Sequence, residues 1–296
     1  MAYTYDAKQL GAYLERLIRE QVTASCWSWL QQQSDRYEKQ YLPSYFNLSF
    51  TAISRFVPRK AVVLSAQDDE VLKSIRKDLT IQGWEIDRLC RAWWLLKLPA
   101  TDEKTYTEQI ENLFDAADVH ELVAVYGALP LMAYPEQFRL RAAEGIRTSI
   151  GAVFEAVALN NPYPGEYLDE PAWNQLVLKA FFMEKPVQRI IGLEERANAE
   201  LAHILSDYAH ERWAAGRPVQ PMLWWPVSRF IDEKIFPDIV RLFESEEPLQ
   251  MKAAALACAA SGFPAAKDLL HRHPVLQEKI AQGELTWENI VEPENK

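Results

Sequence analysis

Hydrophobic positions recur at intervals of three and four residues along most of the chain, which is the period of an amphipathic α-helix. Alternating apolar and polar positions, typical of a strand, occur mainly in the short segment KAVVLS at residues 60–65. The pattern predicts helices over residues 5–33, 47–56, 68–79, 84–98, 102–117, 120–133, 138–160, 172–184, 193–215, 229–243 and 249–261. Prolines fall between most of these segments, but Pro130 and Pro237 lie inside two of them and predict a kink or a split.

The segments that begin at Tyr134 and Glu247 share a proline, then a basic residue and small apolar residues, and both are similar to one helix of a HEAT-type repeat. We expect an all-α fold with no significant sheet. An irregular α-solenoid or layered helical array of HEAT-like hairpins is favoured over a closed bundle. The predicted organisation is a single elongated domain, 1–296, with a core at about 45–230 and a helical-hairpin extension at about 231–296.

Two predicted helical regions carry very few charges. The only charged residue in 148–165 is Glu155, and the only one in 172–183 is Lys179. Because charged side chains are rarely buried without partners, we expect both regions to lie at the centre of the fold. Lys179 is then either a surface lysine with a covered stem or a desolvated lysine that binds an anion or forms an imine.

Three uncharged residues in these regions are further candidates. Asn174 follows Trp173 in an apolar helix, and a buried amide there either orders a neighbouring loop or contacts a ligand. Asn161 and Tyr163 lie in the segment NNPYPG at residues 160–165. The asparagines either satisfy carbonyls of the preceding helix and start a turn, or belong to a proline-stiffened loop that holds Tyr163 against a ligand.

The segment DYAHERWAAGR at residues 207–217 concentrates charge on one predicted helix. Glu200, His203, Asp207 and His210 fall on one side of that helix, with Glu211 beside them. Carboxylate and imidazole one turn apart suit a metal ion or acid–base catalysis, but any amphipathic surface helix also shows a polar stripe. Because no second E-x-x-H motif occurs, we expect no metal. The chain also has no glycine-rich phosphate loop, and we expect no other cofactor.

On the core-facing side of the same helix lie Tyr208 and Arg212. An arginine in that position needs a partner, and Glu155 is the candidate that the charge-poor region offers. The sequence therefore predicts a partly buried network of Arg212, Glu155, Asn174 and Tyr208, and it leaves open whether the network is structural or binds a ligand.

Composition narrows the possible partners. The formal net charge is -10 and no basic stripe occurs, which disfavours nucleic acid. The 3 cysteines are far apart without a C-x-x-C motif, as expected in a reducing compartment. No apolar run reaches the roughly 18 residues of a membrane span, and the first residues do not resemble a signal peptide. We therefore expect a cytoplasmic protein.

Several segments are specific in combination: FTAISRFVPRKAVVLS from residue 50, GWEIDRLCRAWWLLKLP from 83, YGALPLMAYPEQFRLRAAEGIRTSIGAVFEAVALNNPYP from 126, AWNQLVLKAFF from 172, GLEERANAELAHILSDYAHERWAAGR from 192, and PMLWWPV from 221. Over about residues 45–230 the chain resembles the EboA-type family, the product of the first gene in the ebo cluster of many bacteria and some algal plastids. It departs from the family pattern at Ser149 and Trp225, where Asn and Arg are expected.

The resemblance implies a cytoplasmic helical protein that works beside a prenyltransferase, sugar-phosphate-type enzymes and hydrolases in making or moving a secondary metabolite. It implies no particular reaction. The residues carried over from matching motifs are Arg147, Asn161, Tyr163, Trp173, Asn174, Lys179, Asp207, His210, Glu211, Arg212 and Arg217.

Three functions remain open. The first is an accessory or small-molecule-binding protein for an amphiphilic, isoprenoid-linked metabolite, which would use the carried-over residues together with Glu155 and Tyr208. The second is an enzyme that uses His210 with Asp207 or Glu211 as acid and base. The third is an α-solenoid scaffold for other proteins of the same gene cluster. The expected partners are accordingly a small amphiphilic metabolite, proteins of that cluster, or both.

Overall fold

The computed structural model of the protein describes residues 2–290. Over this part of the chain it is 70% helical, with 18 α-helices and no strand. The prediction of an all-α fold is therefore confirmed. The segment KAVVLS forms an isolated bridge between Ala61 and Glu85 instead of a strand.

The chain divides into two compact units, residues up to Asp169 and residues from Glu170 onward. The predicted single elongated domain and the predicted solenoid both stay predictions. The first unit contains ten of the helices: α1 (Ala7–Gln21), α2 (Ala24–Gln40), α3 (Pro43–Phe56), α4 (Ala66–Ile75), α5 (Ile86–Leu95), α6 (Glu103–Ala116), α7 (Val119–Gly127), α8 (Arg139–Arg147), α9 (Gly151–Ala158) and α10 (Tyr163–Tyr167).

Two helices predicted as continuous are broken in the first unit. The break in the predicted helix 5–33 lies at residues 22–23, because the Thr23 side chain accepts a hydrogen bond from the Cys26 backbone N–H and so starts α2. The break in the predicted helix 138–160 follows Arg147, where the Thr148 hydroxyl accepts a hydrogen bond from the Ile150 N–H. Short polar side chains in both places compete with the helical backbone bonds.

Aromatic packing forms the centre of the first unit. Trp94 of α5 is 1% exposed and lies against Tyr37 of α2 and Phe46 of α3, with ring centroids 5.7 and 5.5 Å away. Its indole N–H donates to the Phe46 carbonyl at 3.1 Å, so the polar atom of the ring is satisfied. Burial of each such ring contributes roughly 1.5–3 kcal/mol.

Close packing of α7, α8 and α9 depends on a glycine. A methyl group built at Gly145 would lie 2.7 Å from the Tyr126 ring and 2.7 Å from Val157. Both neighbours lie in the core, at 5% and 0% exposure, so neither is free to move aside. Glycine at this position therefore sets how closely the three helices approach.

The second unit contains the remaining helices of the described chain: α11 (Glu170–Phe182), α12 (Ala199–Ala214), α13 (Trp224–Val227), α14 (Phe236–Phe243), α15 (Pro248–Ala260), α16 (Pro264–His271), α17 (Pro274–Ala281) and α18 (Trp287–Ile290). Its middle is α15, in which every residue from Ala253 to Cys258 is buried. The small side chains let α13, α14, α16 and α17 pack closely against it. Pro237 begins α14 rather than kinking a longer helix, because proline fits the first helical turn.

Helices α11 and α12 lie side by side and run in the same direction. Near the start of α11, Asn174 contacts Asn198, the residue that caps the start of α12. Just beyond the end of α11, Glu184 lies 3.5 Å from Arg212, near the end of α12. The segment that connects the two helices, residues 183–198, therefore returns along the length of α11. The pair of helices is not an antiparallel hairpin.

Candidate functional site

A pocket with a volume of about 490 Å³ lies between α11 and α12. This is within the size range of small-molecule sites. Its lining side chains come from one face of each helix and from the turn after α12: Gln175, Leu178, Lys179, Phe182, Tyr208, Glu211, Arg212, Ala215 and Arg217.

Apolar groups form a continuous part of this lining. Leu178 and Phe182 are one turn apart on α11, Tyr208 lies on the facing side of α12, and Ala215 caps the end of α12. Phe182 is 68% exposed, whereas its neighbour Phe181 is 2% exposed. A large ring left open to solvent in a concave site offers apolar surface to a ligand.

The turn after α12 brings a cation to the pocket. Gly216 has a φ of +64°, in the left-handed region that favours glycine. The Gly216 N–H donates to the Trp213 carbonyl and the Arg217 N–H donates to the Arg212 carbonyl, a Schellman motif. The sequence AAGR thus ends the helix and places Arg217 on the pocket beside Arg212.

Three cations and one carboxylate line the pocket. The Arg212 side chain is 16% exposed, donates from Nε to the Pro218 carbonyl at 2.9 Å, and lies 3.5 Å from Glu184. Burial lowers the pKa of the Lys179 ammonium group below its ordinary value of 10.5. Since α11 and α12 end on the same side, both helix dipoles favour positive charge here. The result is an amphiphilic pocket with an apolar surface and a cationic rim.

The residues that line this pocket belong to a part of the chain that matches a sequence family. The sequence model described as metabolite traffic protein EboA matches residues 10–228. The chain belongs to the EboA family. The match begins earlier than the resemblance noted at about residue 45, so α1 and α2 also belong to the family region. No curated protein and no solved structure matches the chain.

Two other predicted candidates in this EboA family member, Asn174 and Trp173, are buried and contact the loop before α12. Asn174 is 3% exposed and exchanges two hydrogen bonds with Asn198, at 2.9 and 3.3 Å. The Asn198 side chain also accepts from the Leu201 N–H at 2.8 Å and so caps α12. Asn174 therefore orders the loop before α12, one of the two alternatives left open. Trp173 is fully buried next to it, with the guanidinium of Arg196 4.9 Å from its ring centroid.

His210 has its hydrogen-bond partner on another helix, and its predicted use with Asp207 or Glu211 as acid and base stays a prediction. The His210 Nε2 atom lies 2.6 Å from the buried Asp238 carboxylate of α14, which also accepts a 2.6 Å hydrogen bond from Ser206. Asp207 instead pairs with Lys234 at 3.2 Å, and both are exposed. Because α12 packs on α14, tertiary contacts rather than helix spacing choose the partner of each side chain.

Asn161 and Tyr163 fix the turn before α10. The Asn161 amide donates to the carbonyls of Tyr126 and Ala156 and accepts from the Tyr163 N–H, which agrees with the turn interpretation. The Tyr163 hydroxyl donates to the Pro135 carbonyl at 2.6 Å. Both residues are buried in the first unit, so their contacts stabilise that unit.

Glu155 and Arg147 are both exposed. The predicted burial of Glu155 is therefore wrong, because α9 buries the face of Val153, Phe154 and Val157 and leaves the side of Ala152 and Glu155 exposed. Within the second unit, the carboxylate beside Arg212 belongs to Glu184.

The pocket thus unites five of the predicted candidates, namely Lys179, Tyr208, Glu211, Arg212 and Arg217. The sequence analysis did not select Phe182. The one sign of its role is that it follows Phe181, which already completes the apolar face of α11, so the second ring has no place on that face. Sequence reasoning also missed Asp238, since nothing local marks it as the partner of His210. Within the described part of the chain, no three His, Cys, Asp or Glu side chains cluster so as to hold a metal ion.

Proposed function

We propose that this EboA family member binds an amphiphilic metabolite with an anionic group, of the isoprenoid-linked kind, in the pocket between α11 and α12. The family description as a metabolite traffic protein supports a small-molecule partner. The observation that carries the proposal is the combination of apolar side chains and cations in one pocket of about 490 Å³.

Each part of the lining favours a part of such a ligand. An apolar chain would cover Leu178 and the open ring of Phe182, and this burial supplies affinity. A phosphate or carboxylate would lie near Arg217 and Arg212, whose planar guanidinium groups suit oxyanions. An anion beside Lys179 would also relieve the cost of keeping its partly desolvated ammonium group charged.

A carrier role follows more readily from this site than a catalytic one. His210 contacts Asp238 and does not line the pocket. The chain would hold the metabolite between the steps that make it and the step that moves it onward. The enzyme with His210 as acid–base group, the scaffold for cluster proteins and the cytoplasmic location stay predictions.

Isothermal titration with farnesyl phosphate and with farnesol tests the proposal. We expect saturable binding of farnesyl phosphate, weaker binding of the uncharged alcohol, and a loss of roughly tenfold in affinity for Arg217→Ala, the scale of one charge-assisted contact. Lys104→Ala is the matched control, because Lys104 is an exposed cation of the first unit with an 83% exposed side chain. Equal affinity for the two ligands, or no binding of either, would overturn the proposal.

A further inference from the structure

A second amphiphilic surface lies in the first unit, on α2 and α3. A groove of about 290 Å³ is lined there by Trp29, Gln33, Tyr45, Leu48, Ser49, Thr51, Ala52, Arg55 and Phe56. Leu48 is 69% exposed and Phe56 is 50% exposed, and the Phe56 ring stacks on Trp29 with centroids 4.3 Å apart. The large side chains of Tyr41 and Leu42, between α2 and α3, are also about half exposed.

These residues form one stripe. Along α3 the groove residues Tyr45, Leu48, Ala52 and Phe56 follow the spacing of one helix face. A separate face of α3 carries Phe46, Phe50 and Ile53, which are buried in the core. Tyr45 and Phe56 also contact α2, but the open surface of Leu48 and Phe56 is additional to the face that holds α3 in the fold.

The charge around the stripe is positive in an otherwise acidic chain. No aspartate or glutamate occurs from residue 39 to residue 67, although the whole chain has a formal net charge of -10. Arg55 is the charged residue of the groove lining, and the guanidinium of Arg36 lies 4.4 Å from the ring centroid of Tyr45. Lys39, at the start of this stretch, and Lys60, within it, are exposed. The carboxylates of Asp35 and Glu38 do not line the groove, and Glu38 pairs with Lys97 at 3.0 Å.

We infer that this face of α2 and α3 docks on the surface of an anionic lipid bilayer. Exposed tyrosine, leucine and phenylalanine, with the half-buried Trp29, stand beside arginine and lysine, which is the composition of helices that lie in the headgroup region. Anionic lipids attract each nearby basic residue, whereas the excess negative charge elsewhere on the chain is repelled. This complementarity selects an anionic membrane over a neutral one. The inference does not rest on the α11–α12 pocket.

Vesicle flotation of the full chain tests this. We expect the protein to float with vesicles of phosphatidylcholine and phosphatidylglycerol, to float poorly with phosphatidylcholine alone, and to be released by salt. Leu48→Ser should weaken the partition coefficient roughly tenfold, and Arg55→Ala should weaken it roughly fivefold. Leu140→Ser is the matched control, because Leu140 is 78% exposed on α8 and lies outside the groove.

Thermal unfolding of each variant shows whether it folds, and Leu48 and Arg55 are exposed enough for their replacement to be tolerated. Failure to float with anionic vesicles would overturn the inference, as would equal flotation of Leu48→Ser and native protein. Capture of a partner protein by this face, without vesicle binding, would also overturn it. We expect Leu48→Ser to bind farnesyl phosphate with unchanged affinity, which would show that membrane docking and ligand binding use different surfaces.

Discussion

Replacement of Phe182 by serine tests the apolar part of the pocket with little effect on the fold. The Phe182 residue is 68% exposed, so its ring contributes little to packing, and serine and phenylalanine have similar helix propensities. We expect the free energy of unfolding to change by less than about 0.5 kcal/mol. A ligand chain, in contrast, would cover the ring directly.

The size of the effect follows from the exposed area. A phenylalanine of roughly 200 Å² that is 68% open presents roughly 140 Å² to a ligand. At about 25 cal/mol per Å², covering half of this area contributes about 1.7 kcal/mol, or roughly 15- to 20-fold in Kd. Titration of farnesyl phosphate into the native protein and Phe182→Ser measures this ratio, and Leu140→Ser, which alters an exposed leucine of α8, should leave Kd unchanged. A Phe182→Ser Kd within twofold of the native value would refute the reasoning.

Three further predictions concern stability and pH. Gly145→Ala should lower the free energy of unfolding by about 1–2 kcal/mol in chemical denaturation, because the cost of overpacking exceeds the gain in helix propensity. Gly11→Ala is the control: its added methyl group would meet no neighbouring atom closer than 4.0 Å, so it should raise the free energy of unfolding by about 0.5–1 kcal/mol. Asn174→Ala should destabilise the fold by about 1–3 kcal/mol, and a double-mutant cycle with Asn198→Ala should show strong coupling; additive effects would contradict the contact between them. Farnesyl phosphate affinity should fall as the pH rises through the pKa of Lys179, which burial lowers below 10.5, because the cation is lost. A pH-independent affinity in the native protein, or an equal fall in Lys179→Arg, would contradict this.

Periodicity predicted the helical class because each helix covers one apolar face, and that pattern is local. The breaks at Thr23 and Thr148 were missed because a threonine inside an apolar period looks like any other helical residue until its hydroxyl bonds to the backbone. The early start of α3 at Pro43 agrees with the usual place of proline in a first turn.

The sequence could predict those residues of the candidate site whose type alone made them unusual at their position. Arg212 required a partner and lies in the pocket, as does Lys179. The partners themselves, Glu184 and Asp238, depend on how α11 and α14 pack against α12, which sequence spacing does not encode. Asn174 illustrates the same limit, since the choice between a loop contact and a ligand contact depended on Asn198.

Photo-crosslinking with a diazirine analogue of farnesyl phosphate, followed by peptide mapping, tests most directly whether the α11–α12 pocket holds an anionic amphiphile. Labelling should saturate, should be displaced by farnesyl phosphate, and should map to peptides from α11 and from residues 208–217. Displaceable labelling that maps elsewhere in the chain, or labelling that neither saturates nor is displaced, would contradict the account.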